Sequence, residues 1–407
     1  MPVLEATSNL LAELEAIRAE SDRFFAILTP EALYERPIVE RHRVIFYVGH
    51  LESFDSIQLC RERLGLPSPE PDLDALFQAG IDPDSSSLPS DVPGDWPSFK
   101  EARAYVARCR KHVDENLARV PEDGLSMIIE HRQMHLETLA YMLHNFDYRL
   151  KQVSSATPLE QTGRPSPPNS WIEIPAGEAI LGKADDGTFG WDNEYWETRR
   201  MVPAFRIQKN SVSNGDYMQF VKAGAALPRF WIGRGDEIYL RGMFEEVPLP
   251  LDWPVYVTQT EAAAYANWIG KSIPTEQQFD RAAYGGRPGR QPYPWGNSSP
   301  SPRHGNFDFK RWDPEPVDAN SSGESAFGVN QLVGNGWQWT SSVFEPLPGF
   351  TPSTTYPGYS ANFFDGEHNI IKGGSPRTAA RLLRRSFRNW FRRDYPYVDS
   401  TFRCVEN

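Results

Sequence analysis

The 407-residue sequence contains little cysteine, and its three cysteines are scattered. Cys60, Cys109 and Cys404 lie far apart and are odd in number. This spacing argues against a framework of disulfides and against a CxxC metal site, and it is typical of a reducing compartment. We therefore expect a cytoplasmic protein.

Long apolar runs and excess positive charge are also missing. No stretch approaches the roughly 18 apolar residues that a membrane span requires. The amphipathic start, MPVLEATSNLLAELEAIRAE, has no apolar signal core, so we expect no secretion signal. The net charge is −12 and the pI is near 5.3, which disfavours general binding to nucleic acid or to anionic membranes. We predict neither kind of partner.

The sequence contains enough apolar side chains to form hydrophobic cores. The hydrophobic fraction is 40% and the aromatic fraction is 13%, and the length favours two or three domains. Apolar residues recur with helical periodicity in four segments, which predicts a four-helix bundle over residues 1–152. The predicted helices span roughly 4–28, 41–64, 98–119 and 125–150.

The composition changes abruptly after a polar, proline-rich stretch at 153–170, which is typical of a domain linker. From residue 171 to 407, Gly, Pro, Trp and Tyr are dense, and the apolar runs are short. This pattern predicts an irregular, loop-rich α+β domain whose large side chains could simply fill its core. Helices are expected near 214–223, 261–269 and 276–284.

Histidine spacing gives the clearest indication of chemistry. His131 and His135, in HRQMHLETL, are four residues apart, so on a helix both imidazoles project from one face. His50 ends the apolar run RVIFYVGH, and an antiparallel helix could bring it to the pair. Three neutral nitrogens with open positions suit Fe(II) or Zn(II), which spacing cannot separate. Glu137 could orient one ring, while the plainer alternative is two partly exposed helix histidines.

Several segments resemble known families. The runs IPAGEAILG, FGWDNE, FGVNQLVGNGWQWTSS and FRNWF resemble the formylglycine-generating-enzyme, or sulfatase-modifying-factor, fold, a C-type-lectin-like α+β fold. The runs RHRVIFYVGHLESFD and HRQMHLETL resemble the DinB-like bundle that precedes this fold in ergothioneine-pathway sulfoxide synthases and the related selenoneine synthases. The resemblance implies that His50, His131 and His135 hold one non-heme iron.

The resemblance also implies a reaction. In that family, Fe(II) and O2 support oxidative C–S or C–Se bond formation at C2 of the imidazole of hercynine, the trimethylated betaine of histidine. The formylglycine-generating enzymes themselves need a reactive cysteine pair in the C-terminal part of the shared fold. Cys404 alone cannot supply that pair, so sulfatase modification is not expected.

A hercynine pocket needs aromatic faces or a carboxylate for the trimethylammonium group, which cannot donate or accept hydrogen bonds. Phe391 stands where many family members carry an aspartate for this cation, and Met134 stands where one branch has a glutamine. Asp394 or an aromatic face could substitute, and core packing is the alternative for Trp390. The candidates from segments that match the family pocket are Asn389, Trp390, Asp394, Tyr395 and Tyr397.

A single loop bears on the identity of the chalcogen donor. Family members that use γ-glutamylcysteine clamp it with an arginine pair, but the loop at 81–97, IDPDSSSLPSDVPGDWP, contains no Arg or Lys. We therefore expect a selenosugar, a thiosugar or cysteine, with the selenosugar slightly favoured. The basic run at 381–393, RLLRRSFRNWFRR, could instead supply a clamp, or could be a strand with solvated guanidinium groups.

The sequence is also compatible with two functions of other classes. A zinc-dependent DinB-like thiol transferase would use the same three ligands without redox chemistry. A metal-free protein that binds sugars or peptides would need no metal, and its function would be insensitive to the loss of His50. Bound-metal analysis and a requirement for O2 separate these alternatives.

Overall fold

The computed structural model describes residues 2–78, 88–152 and 163–407, with side chains from residue 8 onward. The chain forms two compact units, Met1–Ala156 and Thr157–Asn407. Much of the predicted linker, residues 153–162, lies outside the described residues, as does the part of the donor loop at 81–87. Within the described part of the chain, no helix is both long and apolar enough to cross a membrane.

The N-terminal unit is helical, which confirms the predicted bundle. The helix predicted at 41–64 consists of two parts, because α2 runs directly into a π-helical segment at Ser56–Arg63. The short α3 was not predicted, although Pro71 and two aspartates in its first turn are ordinary helix-start signals. The helices are α1 (Pro2–Phe25), α2 (Val44–Asp55), α3 (Pro71–Phe77), α4 (Phe99–Asp114) and α5 (Glu122–Asn145).

The apolar sequence of α2 makes it the central helix of this unit. All twelve of its residues are buried, so it has no solvent face. Helix α5 is buried over most of its length, and α4 is amphipathic and begins with a capping box between Ser98 and Glu101. A polar side chain in the middle of α2, such as His50, therefore lies inside the core and needs a partner.

The C-terminal unit is the predicted irregular α+β domain. Its helices are α6 (Asn214–Lys222), α7 (Gln259–Trp268) and α8 (Glu276–Tyr284), close to the predicted positions. Each begins with a Ser or Thr cap. The strands are β1 (Trp171–Ile174), β2 (Gly177–Leu181), β3 (Thr198–Val202), β4 (Phe205–Gln208), β5 (Trp231–Arg234), β6 (Glu237–Arg241), β7 (Glu246–Pro248), β8 (Trp337–Val343), β9 (His368–Lys372), β10 (Asn389–Arg392), β11 (Ser400–Thr401) and β12 (Val405–Glu406).

These strands form small sheets. Their orders are β1-β4-β12, β10-β9-β8-β11, β2-β3 and β5-β6-β7. In the second sheet β10 pairs antiparallel with β9, so that Asn389 faces Ile371 and Trp390 faces Ile370. Trp337 and Trp339 on β8 are buried, which confirms that aromatic side chains help to fill this core.

Candidate metal centre

Three histidines meet inside the N-terminal unit. His50 lies on α2, and His131 and His135 lie one turn apart on α5. One ring nitrogen of each lies within 4.8 Å of those of the other two, and the Nε2 atoms of His131 and His135 are 3.0 Å apart. Their exposed fractions are only 4%, 3% and 1%. The structure thus brings together the three residues that the sequence singled out.

A backbone carbonyl orients the His50 ring. His50 Nδ1 lies 2.7 Å from the carbonyl oxygen of Phe77, the last residue of α3, and donates to it as the N–H tautomer. The other nitrogen, Nε2, is buried and has no hydrogen-bond partner among the described residues. A buried lone pair without a donor is costly unless a cation or water occupies the space before it.

Stacking restricts the rings further. Phe54 lies face to face with His131, with ring centroids 3.4 Å apart and an interplanar angle of 9°. Phe46 stacks on His50 at 4.7 Å and 21°. Rings held by packing and hydrogen bonds lose little rotamer freedom when they bind a ligand, so this arrangement is preorganised.

Burial keeps the triad neutral. It lowers the pKa of His50 to about 4, although the Phe77 carbonyl works in the opposite direction. Burial also lowers the pKa of His131 and of His135 well below the ordinary value, with positive charge on neighbouring histidines acting in the same sense. Near neutral pH all three imidazoles have lone pairs available, which is the form that binds metal.

The donor set fits a divalent transition metal. Three neutral imidazoles, two of them stacked on phenylalanine rings, suit Fe(II) or Zn(II), and the geometry does not separate the two ions. Metal binding by this triad stays a prediction, as does the orienting role of Glu137. The Phe77 carbonyl, a backbone group without a sequence signature, was missed.

A glycine allows α3 to approach the triad. A Cβ built on Gly49 would lie 2.5 Å from three atoms of the Phe77 ring. That ring is itself confined by Tyr105, which stacks on it at 5.3 Å and donates a hydrogen bond to Asp74 of α3. Gly49 is therefore needed where α2 and α3 touch, one residue before His50.

We predict that Gly49→Ala lowers the free energy of unfolding by about 1–3 kcal/mol, the usual range for overpacking, despite the better helix propensity of alanine. The displaced Phe77 carbonyl should release the His50 ring, so metal affinity should fall as well. Chemical denaturation and metal titration would measure both effects. Gly94→Ala is the control, because a Cβ there meets nothing within 4 Å. Wild-type values for Gly49→Ala would contradict this account.

The described end of the donor loop lies beside the triad. Trp96 contacts Phe46 edge-on at 5.9 Å and Phe77 at 6.0 Å, the two residues that hold His50. Its indole N–H donates to Asp91 at 2.8 Å. A single layer of aromatic rings thus separates this part of the loop from the candidate metal site.

The charge of Asp91 is already matched. Arg36 and Arg43 both donate to its carboxylate, and Arg43 also donates to its backbone oxygen at 3.0 Å. Burial opposes ionisation, but the hydrogen bond from Trp96 and the two guanidinium groups outweigh it and lower the pKa of Asp91. The loop sequence does not reveal these partners, because they lie 55 and 48 residues away in the chain.

The basic run at 381–393 is largely committed within the C-terminal unit. Arg384 pairs with the buried Glu194, and Arg388 pairs with Glu276 at 2.8 Å. Arg385 donates to the backbone oxygens of β2 and its following turn. The interpretation as a strand of solvated guanidinium groups was wrong for these three arginines, because each neutralises or caps a group in the fold.

The hercynine candidates do not share one face of their strand. Along β10 the side chains alternate, so Trp390 lies on the face opposite Asn389 and Phe391. Trp390 stacks on Phe344 at 4.2 Å and 6° and meets the edges or tilted faces of Tyr359 and Phe363. Trp390 is half-buried within this aromatic cluster.

A separate aromatic row extends from β10 into the next turn. Phe391 stacks on Tyr395 at 5.4 Å, and Tyr395 meets Tyr397 edge to face at 5.0 Å. The guanidinium carbon of Arg229 lies 4.3 Å from the Tyr397 ring centre, so this ring already carries a cation. Asp394 is exposed at the turn.

Two family models match the chain. The model of the sulfatase-modifying factor enzyme 1-like domain matches residues 156–407, and the model of the DinB superfamily matches residues 13–149. Fold and site together define a protein in which a DinB-type helical unit, with three clustered histidines, precedes a sulfatase-modifying-factor-like domain.

The chain matches curated relatives of different lengths, and it spans little more than half of the longer ones. The chain is 33% identical to the hercynine oxygenase of Mycobacterium tuberculosis, over 87% of this chain and 94% of that protein. It is 31% identical to ergothioneine biosynthesis protein 1 of Neurospora crassa, over 98% of this chain but only 58% of that protein. Among solved structures, PvdO from Pseudomonas aeruginosa is similar over 58% of this chain and 93% of its own, at 20% identity and a TM-score of 0.44. The chain belongs to the hercynine oxygenase family of ergothioneine biosynthesis proteins.

Proposed function

We propose that this protein is a non-heme Fe(II) enzyme that uses O2 to join a chalcogen donor to C2 of the imidazole of hercynine. The observation that carries the proposal is the buried cluster of His50, His131 and His135 in a chain of this family. Bound iron would supply a Lewis acid for the donor and for O2 and the redox chemistry of bond formation. Cytoplasmic location, suggested by cysteine usage, is part of the same proposal.

The reaction balances with one O2. The C2–H bond of hercynine and the S–H or Se–H bond of the donor break, and a carbon–chalcogen bond forms, which releases two electrons. Oxygenation of the chalcogen releases two more. The four electrons reduce O2, so that one oxygen atom ends on the chalcogen and the other leaves as water with the two protons.

The chain's own residues prepare the reaction. The triad offers three neutral nitrogens, and the Phe77 carbonyl fixes the tautomer of His50 so that Nε2 is available as a ligand. Phe46 and Phe54 cover two of the rings and exclude water from that side. A dry shell strengthens the electrostatic interactions that stabilise a bound donor anion.

For the trimethylammonium group we propose the row of Phe391, Tyr395 and Tyr397, because aromatic faces attract cations that cannot hydrogen-bond. Arg229, which lies over Tyr397, offers a cation for the hercynine carboxylate. Asn389, on the same face of β10 as Phe391, could add a hydrogen bond. Asp394 remains a candidate counter-ion at the turn.

We predict that hercynine binds at least about tenfold more tightly than histidine. Each cation–π contact contributes roughly 0.5–2 kcal/mol, and the ammonium group of histidine is more costly to desolvate than trimethylammonium. Anaerobic calorimetry on the metal-loaded protein with both compounds tests this. Tyr395→Leu should weaken hercynine selectively and leave histidine nearly unchanged. Equal affinities for the two compounds would remove hercynine as the substrate.

For the donor we propose a selenosugar, a thiosugar or cysteine rather than γ-glutamylcysteine. In the part of the loop that the structure describes, 88–97, the nearby guanidinium groups of Arg36 and Arg43 are occupied by Asp91 and by backbone oxygens. They are therefore not available to clamp a second carboxylate. Thiolate and selenolate are both soft anions that would bind a metal in the same way. The pocket therefore selects the donor by the group to which the chalcogen is attached.

A further inference from the structure

A completely buried guanidinium group lies between the two helices that carry the histidines. Arg132 follows His131 on α5, and its side chain has an exposed fraction of 0%. Its Nη1 donates to Ser21 at 3.1 Å and to Glu52 at 3.0 Å. Its Nη2 donates to Glu52 at 2.9 Å, to Asp55 at 2.6 Å and to the Leu51 carbonyl at 3.2 Å.

Most of these acceptors lie on α2 immediately beside the histidine ligand. Leu51 and Glu52 follow His50 in the chain, just as Arg132 follows His131. A slip of α5 along α2 by one residue would move the guanidinium group about 1.5 Å along the helix axis. Contacts of 2.6–3.2 Å cannot survive such a slip, so they fix the register of the two helices one residue away from the ligands.

We propose that Arg132 is a positioning residue for the metal centre, acting through Glu52, Asp55 and the Leu51 carbonyl to hold His50 against His131 and His135. This inference rests on the metal site proposed above. Stability alone does not account for the ion pairs that Arg132 forms with Glu52 and Asp55, because buried ion pairs are often no more stabilising than apolar residues of the same volume. Fixing a register is a role for which buried polar groups are well attested.

A neighbouring arginine separates the two explanations. Arg110 also donates to Glu52, at 2.9 Å, and to Asp22 of α1. It comes from α4, which carries no histidine of the triad. Replacing Arg110 therefore removes one positively charged partner of the Glu52 carboxylate. The hydrogen bonds from Arg132 that join α5 to α2 remain.

The test compares Arg132→Met, Arg132→Lys and the control Arg110→Met. For each, denaturation of the metal-free protein gives stability, and titration with Co(II) at low temperature gives metal affinity and the visible absorption spectrum of the site. We expect Arg132→Met to alter the spectrum and to weaken Co(II) binding by about tenfold, which is the lower end of the roughly 10–100-fold range for direct hydrogen-bond partners of metal ligands, because Arg132 acts through α2. Arg132→Lys should recover only part of the affinity, because an ammonium group cannot reproduce the bidentate contact.

Arg110→Met should lose stability but keep its Co(II) affinity within about threefold of wild type, since α4 provides no ligand of the site. Wild-type affinity and spectrum in a folded Arg132→Met would overturn the positioning role. If that variant does not fold, unchanged affinity and spectrum in Arg132→Lys would overturn it equally. His135→Ala is measured in parallel. Normal Co(II) binding by His135→Ala would reject the metal site itself. If His135→Ala loses Co(II) binding but the Arg132 variants bind Co(II) normally, only the positioning role is rejected.

Discussion

Replacing His135 with alanine should abolish stoichiometric Fe(II) binding and, with it, turnover of hercynine. Removing one of the three nitrogens leaves a site with two protein ligands. A divalent ion with so few ligands is poorly stabilised in apolar surroundings. The loss of affinity should exceed the roughly 10–100-fold that follows from losing an outer partner of a ligand. Anaerobic reconstitution followed by metal analysis measures the content, and mass spectrometry measures the product.

The matched control is His144→Ala. His144 is also a buried histidine of α5 but does not belong to the triad. It should keep one Fe(II) per chain even if it loses some stability. Full iron content and turnover in His135→Ala would sink the triad assignment. Turnover that persists with Zn(II) and without O2 would instead favour the thiol transferase that uses the same ligands.

The triad was predictable from the sequence because helical periodicity is a strong local rule. His131 and His135 had to share a face once α5 was recognised, and His50 stood at the end of an apolar run that had to be buried. Their packing partners were not predictable in this way. The Phe77 carbonyl belongs to a seven-residue helix that periodicity does not detect, and backbone acceptors have no residue-type signature.

Long-range charge pairing was the other limit of the sequence argument. Asp91 lies in a loop without Arg or Lys, yet two arginines that lie near or before the start of α2 bind its carboxylate. Arg132 is fully buried on α5, and its acceptors come from α1 and α2, which the sequence of α5 alone does not reveal. The strand β10 was not recognised from the sequence. Its recognition would have placed Trp390 and Phe391 on opposite faces of the sheet, because side chains alternate along a strand.

Donor preference should change when Asp91 is removed. We expect the wild-type protein to couple cysteine or a chalcogen sugar at least about tenfold faster than γ-glutamylcysteine, because Arg36 and Arg43 already bind the Asp91 carboxylate. Asp91→Asn frees hydrogen-bond donors of both guanidinium groups beside the site and should raise the rate with γ-glutamylcysteine, whose two carboxylates these groups can then bind.

Iron-loaded protein and hercynine are mixed anaerobically, divided among γ-glutamylcysteine, cysteine, thioglucose and selenoglucose, and then exposed to O2. Asp95→Asn, which removes an exposed acid of the same loop that pairs with no arginine in the described residues, is the control. Efficient coupling of γ-glutamylcysteine alone by the wild type would overturn the donor argument, because the groups that must bind its carboxylates would then lie elsewhere.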